Sequence, residues 1–148
     1  MLYIGADHRG FELKNQLRGW LEEKGMEVRD MGAHTYNKAD EYPKISAELG
    51  RIVSSDELNM GVLLCGSGVG ASAAVNKIKG IRGAVGINGK QIQAGRHDDD
   101  MNVLIIAADY TGVTEAQEMI SAFLDTPFDG DQERYRRRIL EIKALESE

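Results

Sequence analysis

Residues 62–72 read Val-Leu-Leu-Cys-Gly-Ser-Gly-Val-Gly-Ala-Ser, and this stretch is the strongest indication of the fold. The largely apolar run Met60–Leu64 predicts a strand that is buried on both faces of a parallel sheet. The glycines that follow predict a tight turn, and the small residues after Val69 predict a helix that Gly80 can end. A strand, a glycine turn and a helix in this order direct several backbone N–H groups at one point, where an anion or an oxyanion would be stabilised.

Cys65, the only cysteine of the chain, comes at the end of this strand. Beside such donors the pKa of a thiol can fall from about 8.5 toward neutrality, which would make the thiolate available as a base or nucleophile. The alternative is a buried, inert cysteine. A dinucleotide site is disfavoured because Gly66, Gly68 and Gly70 do not have G-x-G-x-x-G spacing. A thiol-redox role is disfavoured because no second cysteine can resolve an intermediate.

The composition is that of an ordinary globular protein. The chain has 148 residues, with 42% hydrophobic and 28% charged residues, and we expect one domain over residues 1–148. A net charge of −6 disfavours nucleic-acid binding. No apolar run reaches the roughly 18 residues of a membrane span, and no signal peptide is visible. A single cysteine permits no internal disulfide, which indicates a reducing compartment and predicts a cytoplasmic protein.

Hydrophobic periodicity predicts strands that alternate with helices. The predicted strands are Met1–Ile4, Met26–Asp30, Met60–Leu64, Ile81–Ile87 and Val103–Ala107. The predicted helices are Phe11–Lys24, a helix from Pro43, one after Val69, Lys90–Gly95 behind an Asn88 cap, one begun by a capping box at Thr114–Gln117, and a last one from an Asp131 cap. This alternation predicts a Rossmann-like three-layer α/β/α sandwich around a five-stranded parallel sheet.

Ionisable residues follow the first predicted strand. Asp7 and His8 lie where ligands of open α/β sheets bind, so they are candidates for substrate binding or proton transfer. The alternative is a helix cap with a solvated histidine. A polar loop, Met31–Asp40, comes later, and four residues in or after it could reach the site or could belong to a solvated loop: His34, Asp40, Glu41 and Tyr42.

Two charged clusters occur in the second half of the chain. Asp98–Asp100 are consecutive, but they lack the ligand spacing of a calcium loop, so no metal site is expected. Four arginines crowd the first turns of the last predicted helix: Arg134, Arg136, Arg137 and Arg138. Cations at a helix start oppose its dipole and repel one another, which indicates either an anionic partner or a solvated basic face.

With these segments placed, the chain resembles the ribose-5-phosphate isomerase B and galactose-6-phosphate isomerase family along nearly its whole length. The matching segments are Gly5–Gly10, Glu41–Pro43, Cys65–Gly70, Ala74–Lys77 with Gly80–Arg82, and the arginine-rich last helix. The resemblance implies interconversion of an aldose phosphate and a ketose phosphate without metal or cofactor. It also implies a five-stranded parallel sheet and a homodimer or homotetramer whose active sites are shared by two subunits.

The same resemblance implies roles for individual residues. Cys65 would be the base that moves a proton between C1 and C2 through a cis-enediolate, and the Ser67 hydroxyl would move a proton between the two oxygens. The implied substrate-binding residues are Asp7, His8, Tyr42, Gly66, Gly68, Val69, Gly70, Arg134 and Arg138. Among these, the amides of the glycine turn would hold the enediolate charge, and Asp7 and His8 would bind the open sugar and assist ring opening or phosphate contact. The two arginines would reach the phosphate from the neighbouring subunit.

Four positions depart from the family pattern: three are aspartates, and the fourth is Tyr135, which stands where a histidine is common. The family typically has a histidine and an asparagine where this chain has Asp98 and Asp99, and often a phosphate-binding arginine where it has Asp109. Asp98 therefore stands at a catalytic position and Asp99 at a substrate-binding one, and the family histidine is either missing or shifted to His97. Because carboxylates repel a phosphate, the sequence leaves three alternatives for the substrate: a sugar of the ribose 5-phosphate type, another sugar phosphate, or an unphosphorylated sugar. A non-catalytic sugar-binding subunit of a mixed oligomer is the remaining alternative.

Overall fold

The computed structural model describes all 148 residues, and strands and helices alternate along them. The strands are β1 (Leu2–Ala6), β2 (Val28–Asp30), β3 (Met60–Cys65), β4 (Gly83–Val85) and β5 (Val103–Ala107). The helices are α1 (Phe11–Glu23), α2 (Tyr42–Ser54), α3 (Val69–Val75), α4 (Gly89–Asp99), α5 (Val113–Asp125) and α6 (Glu133–Leu145). None of these helices combines the length and the apolar character that crossing a bilayer requires.

All five strands are parallel and lie in the order β2-β1-β3-β5-β4. The three middle strands are β1, β3 and β5, which are buried almost throughout because both of their faces are covered. After β3 the chain forms the edge strand β4 and then returns to place β5 between the two. The ends of β1, β3 and β5 therefore meet at one side of the sheet, called here the carboxyl edge, and their starts meet at the amino edge.

Helices cover both faces of the sheet, so the predicted three-layer sandwich is confirmed. On one face α1, α4 and α5 pack over a core of 16 buried residues, and on the other α2 and α3 pack over a core of 10. Successive side chains of a strand point to opposite faces. Leu64 accordingly belongs to the larger core, whereas Leu63 and Cys65 belong to the smaller one. The Cys65 side chain therefore lies on the side of the sheet that carries α3.

The end of α3 was predicted wrongly at Gly80, because the helix ends at Val75. The Asn76 side chain donates to the carbonyl oxygens of Ser72 (2.9 Å) and Gly83 (3.0 Å) and accepts from the amide of Gly83 (2.9 Å). These bonds turn the chain out of the helix and toward β4. The partner that ends the helix lies at the start of the next strand, which no local pattern indicates.

The prediction for α4 was correct at its start and wrong at its end. The Asn88 side chain caps the helix by accepting from the amide of Gln91 (2.9 Å), as predicted. The helix continues past Gly95 to Asp99, and Asp100 ends it in the left-handed region with φ of 47°. Arg96 and Arg82 both bind the Asp100 carboxylate and so fix this end.

The two caps predicted for the last helices are also wrong. Gly112 precedes α5 and Gln132 precedes α6, and neither helix has a side-chain cap. Thr114 lies two residues inside its helix and Asp131 lies one residue too early, so neither oxygen occupies the capping position.

Candidate active site

Cys65 is the last residue of β3 and lies at the carboxyl edge, only 4% exposed. The backbone amides of Gly68 and Ala71 lie close enough to its sulfur to lower the pKa of the thiol. They reach it because the chain folds back over the end of β3, with Gly68 at φ of 77°, in the left-handed region that favours glycine. A thiolate at this position would have two backbone donors.

Burial raises the pKa of the Cys65 thiol above its ordinary value, because the charged thiolate loses contact with water. The two amides and the charge of Arg9 lower the pKa, and the nearby Asp7 carboxylate raises it further. The expectation that this pKa falls toward neutrality is therefore wrong for this chain, since desolvation outweighs the donors. At neutral pH the thiol carries its proton, and the thiolate is a minor form.

Two glycines of the turn allow side chains from other elements to approach it closely. The Arg9 side chain lies against Gly66, in the space that a Cβ would occupy. The ring of Tyr42, from the start of α2, lies against Gly70 in the same way. Tyr42 and Arg9 therefore flank the turn on two sides.

The other groups of the turn are hydrogen-bond donors and one hydroxyl. The Ser67 hydroxyl accepts a hydrogen bond from the amide of Val69 (3.3 Å), whose own side chain is exposed. The amides of Ser67 and Gly70 donate to no backbone acceptor. These amides lie in the same turn as the hydroxyl and are chemically able to stabilise an oxyanion.

Asp7 follows β1 and is 5% exposed. Its Oδ1 accepts hydrogen bonds from the amides of Arg9 (3.0 Å) and Gly10 (3.3 Å), so it does close the turn before α1. Burial raises the pKa of Asp7, although the two amides act to lower it. The carboxyl is also near enough to Cys65 for its charge to act on the thiol.

His8 is held by Asp40, from the loop before α2. Asp40 Oδ1 accepts a hydrogen bond from the His8 amide (2.8 Å) and lies 2.7 Å from His8 Nδ1. The second carboxylate oxygen of Asp40 is buried without a partner. Since Nδ1 is occupied by Asp40, His8 Nε2 is the nitrogen left for a ligand.

Arg9 and Asp109 form an ion pair at the carboxyl edge although they are 100 residues apart. Asp109 follows β5, and its amide donates to the carbonyl oxygen of Gly66 (3.0 Å), which anchors the carboxylate beside the turn. The negative charge of Asp109, expected to repel a phosphate, is therefore balanced by a guanidinium from the same chain.

Asp98 and Asp99 lie at the amino edge, away from the thiol. Helix α4 starts beyond the end of β4 and runs back to the start of β5, so its last residues reach that edge. The Asp99 carbonyl oxygen accepts a hydrogen bond from Arg82 Nε (3.0 Å), and Arg82 directly precedes β4. One chain does not bring these aspartates to Cys65.

The end of α4 and the start of α6 form what we call the α4–α6 cluster: His97, Asp98, Asp129, Arg134 and Tyr135. His97 Nδ1 lies 2.7 Å from Asp98 Oδ1, and its ring packs edge-on against Tyr135 at 5.8 Å. The hydrogen bond from His97 lowers the pKa of Asp98. A cleft of about 520 Å³ extends from this cluster along α4.

The four arginines of α6 are not equivalent. Arg137 forms an ion pair with Glu133 (2.8 Å), and Arg136 binds the carbonyl oxygen of Gly130. Arg134 donates only to the Tyr135 hydroxyl (3.1 Å), and Arg138 is exposed without an acidic partner. Only Arg137 is paired with a carboxylate, and the two arginines expected to bind phosphate bind neither a carboxylate nor a backbone carbonyl oxygen.

The predicted site residues thus fall into two groups within one chain. The group that we call the thiol site contains Asp7, His8, Tyr42, Cys65 and the turn Gly66–Gly70. The α4–α6 cluster, with Asp99 and Arg138 beside it, lies at the opposite edge. Arg9 had no predicted role and Asp40 had two alternatives, and both residues reach the thiol site through contacts with residues distant in sequence. His34 instead lies near Asp30, 3.9 Å away, and is mostly exposed.

A thiol, a carboxyl and an imidazole around free backbone donors define an enzyme site for proton transfer on a small polar substrate. The family model described as Ribose/Galactose Isomerase matches residues 2–142. Ribose-5-phosphate isomerase B of Escherichia coli (strain K12) is 35% identical over 143 residues, which cover 97% of this chain and 94% of that protein. D-erythrulose-4-phosphate isomerase of Pectobacterium atrosepticum is 32% identical over 127 residues, 86% of this chain and 84% of that protein.

A solved structure is similar over the whole chain. Ribose-5-phosphate isomerase B from Mycoplasma genitalium with bound ribulose-5-phosphate matches with a TM-score of 0.93 at 31% identity, covering 99% of this chain and 96% of that one. The chain belongs to the ribose/galactose isomerase family, and it is an aldose–ketose isomerase. The family resemblance and the fold expected from it are confirmed.

Proposed function

We propose that this protein interconverts an aldose phosphate and a ketose phosphate of the ribose 5-phosphate and ribulose 5-phosphate type, with Cys65 as the base and without a metal. The observation that carries the proposal is the single buried thiol at the carboxyl edge, beside a glycine turn in which the amides of Ser67 and Gly70 donate to no backbone acceptor. A thiolate there can remove a proton from carbon while neighbouring N–H groups stabilise the charge that develops on oxygen.

The chemistry is a proton transfer between adjacent carbons. The Cys65 thiolate takes the proton from C2 of the open-chain aldose, and the electron pair of that C–H bond forms the C1–C2 double bond of the cis-enediolate. The thiol then returns the proton to C1, and a proton moves from O2 to O1, so the step needs no oxidant or reductant. Ser67 is the hydroxyl proposed to move that proton. The amides of Ser67 and Gly70 are the proposed donors to the enediolate, each worth about 3 kcal/mol by analogy with other oxyanion sites.

The sugar itself is proposed to bind across Asp7, His8 and Tyr42. His8 presents Nε2 because Asp40 holds Nδ1. Asp7, whose pKa is raised by burial, can hold a proton more readily than an exposed carboxyl, which suits a group that assists ring opening.

We further propose a homodimer or homotetramer in which the α4–α6 cluster of one copy completes the thiol site of another. In that arrangement Asp98 and Asp99 face the sugar, and Arg134 and Arg138 bind the phosphate. Three observations support it: the two groups lie at opposite edges of one chain, the two arginines lack acidic partners, and α6 exposes the apolar side chains of Leu140, Ile142 and Leu145.

A four-carbon sugar phosphate is the second candidate substrate. The relative from Pectobacterium atrosepticum is named for D-erythrulose 4-phosphate, and it matches most of this chain. The aspartates at positions 98, 99 and 109 add acceptors for sugar hydroxyls, which also keeps an unphosphorylated sugar among the substrates to be tested.

The first experiment is NMR of proton exchange at C2 in deuterated water, over four-, five- and six-carbon sugars with and without phosphate. We expect deuterium incorporation into a phosphorylated four- or five-carbon sugar. Exchange on unphosphorylated sugars alone would replace the proposed substrate class. No exchange on any sugar by the folded protein would contradict the proposed reaction.

The role of Cys65 is tested by Cys65→Ala in the same assay. We expect loss of exchange by at least about a thousandfold, because the variant lacks the proposed base. Ser46→Ala is the matched control, since it also removes one buried side-chain atom, and Ser46 lies on α2 with an unpaired hydroxyl. Residual activity of Cys65→Ala within tenfold of the control would show that Cys65 is not the base.

A further inference from the structure

The pair formed by Arg9 and Asp109 lies at the carboxyl edge, and the proposed proton transfer assigns it no step. The heavy atoms nearest to the position that a Cβ on Gly66 would occupy all belong to the Arg9 side chain, which therefore lies directly beside the turn that holds the thiol. Asp109 binds one end of the guanidinium and is itself anchored to the Gly66 carbonyl oxygen through its amide (3.0 Å).

The exposure of the pair argues against a role in stability. The Arg9 side chain is 57% exposed and that of Asp109 is 30% exposed. Ion pairs in such positions contribute little to folding. The position of the pair is nevertheless specific. Arg9 fills the space that the missing side chain of Gly66 leaves, and the pair lies where the neighbouring strands β1, β3 and β5 end.

The remaining donors of Arg9 are open to a ligand. Asp109 engages Nη2, and neither Nε nor Nη1 has an acceptor in the chain. A guanidinium that keeps free N–H groups and is fixed at one end can bind two oxygens of a phosphate. The carboxylate of Asp109 limits the motion of the guanidinium, so less rotational freedom is lost when the ligand binds.

We infer that Arg9 binds the phosphate of the substrate as a specificity-determining residue, and that Asp109 is its positioning residue. This inference rests on the proposed function, since it names how the same site selects a phosphorylated sugar. It also explains how a carboxylate at position 109 is compatible with an anionic substrate. The thiol site supplies this cation from its own chain, independently of any arginine on α6.

The inference is tested by steady-state kinetics of Arg9→Gln with the phosphorylated substrate. We expect KM to rise by about 10- to 100-fold, as when a hydrogen bond between charged groups is lost, and kcat to change by less than about threefold. Inorganic phosphate should lose potency as a competitive inhibitor by a similar factor. C2 exchange on an unphosphorylated sugar, followed at high concentration, should fall by no more than the small factor seen in kcat, because loss of the Arg9 charge raises the pKa of Cys65 but removes no contact with such a sugar.

Arg18→Gln is the matched control, because Arg18 is also a half-exposed arginine with acidic partners but lies on α1 away from the site. The exchange of the two charges, Arg9→Asp with Asp109→Arg, restores a guanidinium beside the turn. We expect this double variant to recover most of the affinity for phosphate that Arg9→Asp alone loses.

Several outcomes would overturn the inference. KM and phosphate inhibition unchanged in Arg9→Gln would show that Arg9 does not bind the phosphate. An equal loss on phosphorylated and unphosphorylated sugars would assign Arg9 to a hydroxyl instead. If the double variant bound phosphate no more tightly than Arg9→Asp alone, Asp109 would not be the positioning residue of Arg9. A wild-type protein with no isomerase activity would contradict the proposed function, which is a separate result.

Discussion

At the residue scale, the reactivity of Cys65 is set by opposing effects on one thiol. Burial raises its pKa and the amides of Gly68 and Ala71 lower it, with burial the larger effect. Because the thiolate is the reactive form, kcat/KM should increase with pH through the alkaline range, up to the pKa of the thiol. At neutral pH the site therefore contains little thiolate, but the thiolate that does form is a strong base.

Replacing Asp7 with asparagine should lower the pKa of Cys65. Asn keeps an oxygen for the amides of Arg9 and Gly10 but removes the negative charge that raises the thiol pKa. The ultraviolet absorbance of the thiolate against pH is taken as the difference from the same protein carrying Cys65→Ala, which keeps all five tyrosines and lacks only this thiol. We expect the midpoint to move to lower pH in Asp7→Asn and to stay in place in Asp56→Asn, a turn residue that accepts from Leu58. A midpoint common to all three proteins would mean that Asp7 does not act on the thiol.

Part of this site could be predicted from the sequence, because the residues concerned are neighbours in the chain. Cys65, Ser67 and the glycines are consecutive, so their convergence follows from one turn. The contact of His8 with Asp40 spans 32 residues, and that of Arg9 with Asp109 spans 100. Both depend on which strands are neighbours. The desolvation that raises the thiol pKa depends on all the elements that cover it, which a motif does not contain.

At the element scale, α1 is tied to β2 by an ion pair with a fully buried cation. Lys14 is 0% exposed, and its Nζ donates to both oxygens of Asp30 (2.9 and 3.0 Å) and to the carbonyl oxygen of Ala33. Arg18 adds a bond to Asp30 at 2.9 Å. Burial alone would raise the pKa of Asp30, but the hydrogen bond from Lys14 and its charge hold it below the ordinary value.

Lys14→Met should reduce the free energy of unfolding by about 3 kcal/mol, near the low end for a broken buried ion pair, because Arg18 remains. A depressed pKa in the folded state contributes stability above the unfolded pKa of about 3.9, and this contribution is lost as pH falls through the folded pKa. The difference in free energy of unfolding between wild type and Lys14→Met should therefore become smaller at acid pH. Denaturant unfolding against pH measures both effects, with the exposed Lys24→Met as control. Equal stabilities of the two variants at neutral pH would contradict the prediction.

The strands were easier to predict than the ends of the helices. Each middle strand is a short run of apolar residues, because a strand covered on both faces excludes polar side chains. The ends of α3 and α4 depend on Asn76 bonding to Gly83 and on Arg82 bonding to Asp100, contacts between elements. Lys14 was also missed, since a lysine in the apolar face of a helix resembles an exposed residue until its partner on β2 is known.

At the scale of the whole molecule, the separation of the two groups of site residues predicts complementation between inactive variants. Cys65→Ala lacks the thiol but has an intact α6, and the Arg134→Ala, Arg138→Ala double variant has the reverse defect. In a shared-site heterodimer of the two, one site receives both defects and the other receives neither. Co-expression with two different tags, followed by purification on both, should yield a protein with about half of wild-type activity.

The two parent variants, each purified alone, are the controls for this experiment and should be nearly inactive. A heterodimer no more active than its parents, with its size confirmed by light scattering, would show that each site is built by one chain. A monomeric wild-type protein with full activity would contradict the shared site directly.

The position of β5 between β3 and β4 also determines when, during translation, the edge of β3 becomes paired and protected from aggregation. β4 pairs with no strand other than β5, and β3 has only β1 beside it until β5 is made. A nascent chain that has not yet reached Val103 therefore exposes an unpaired strand edge at Val62, Leu63 and Leu64. Strands of other chains can pair with this edge. Its cysteine is uncovered over the same interval. The growing polypeptide on the ribosome, rather than the finished enzyme, is the species most exposed to aggregation and oxidation.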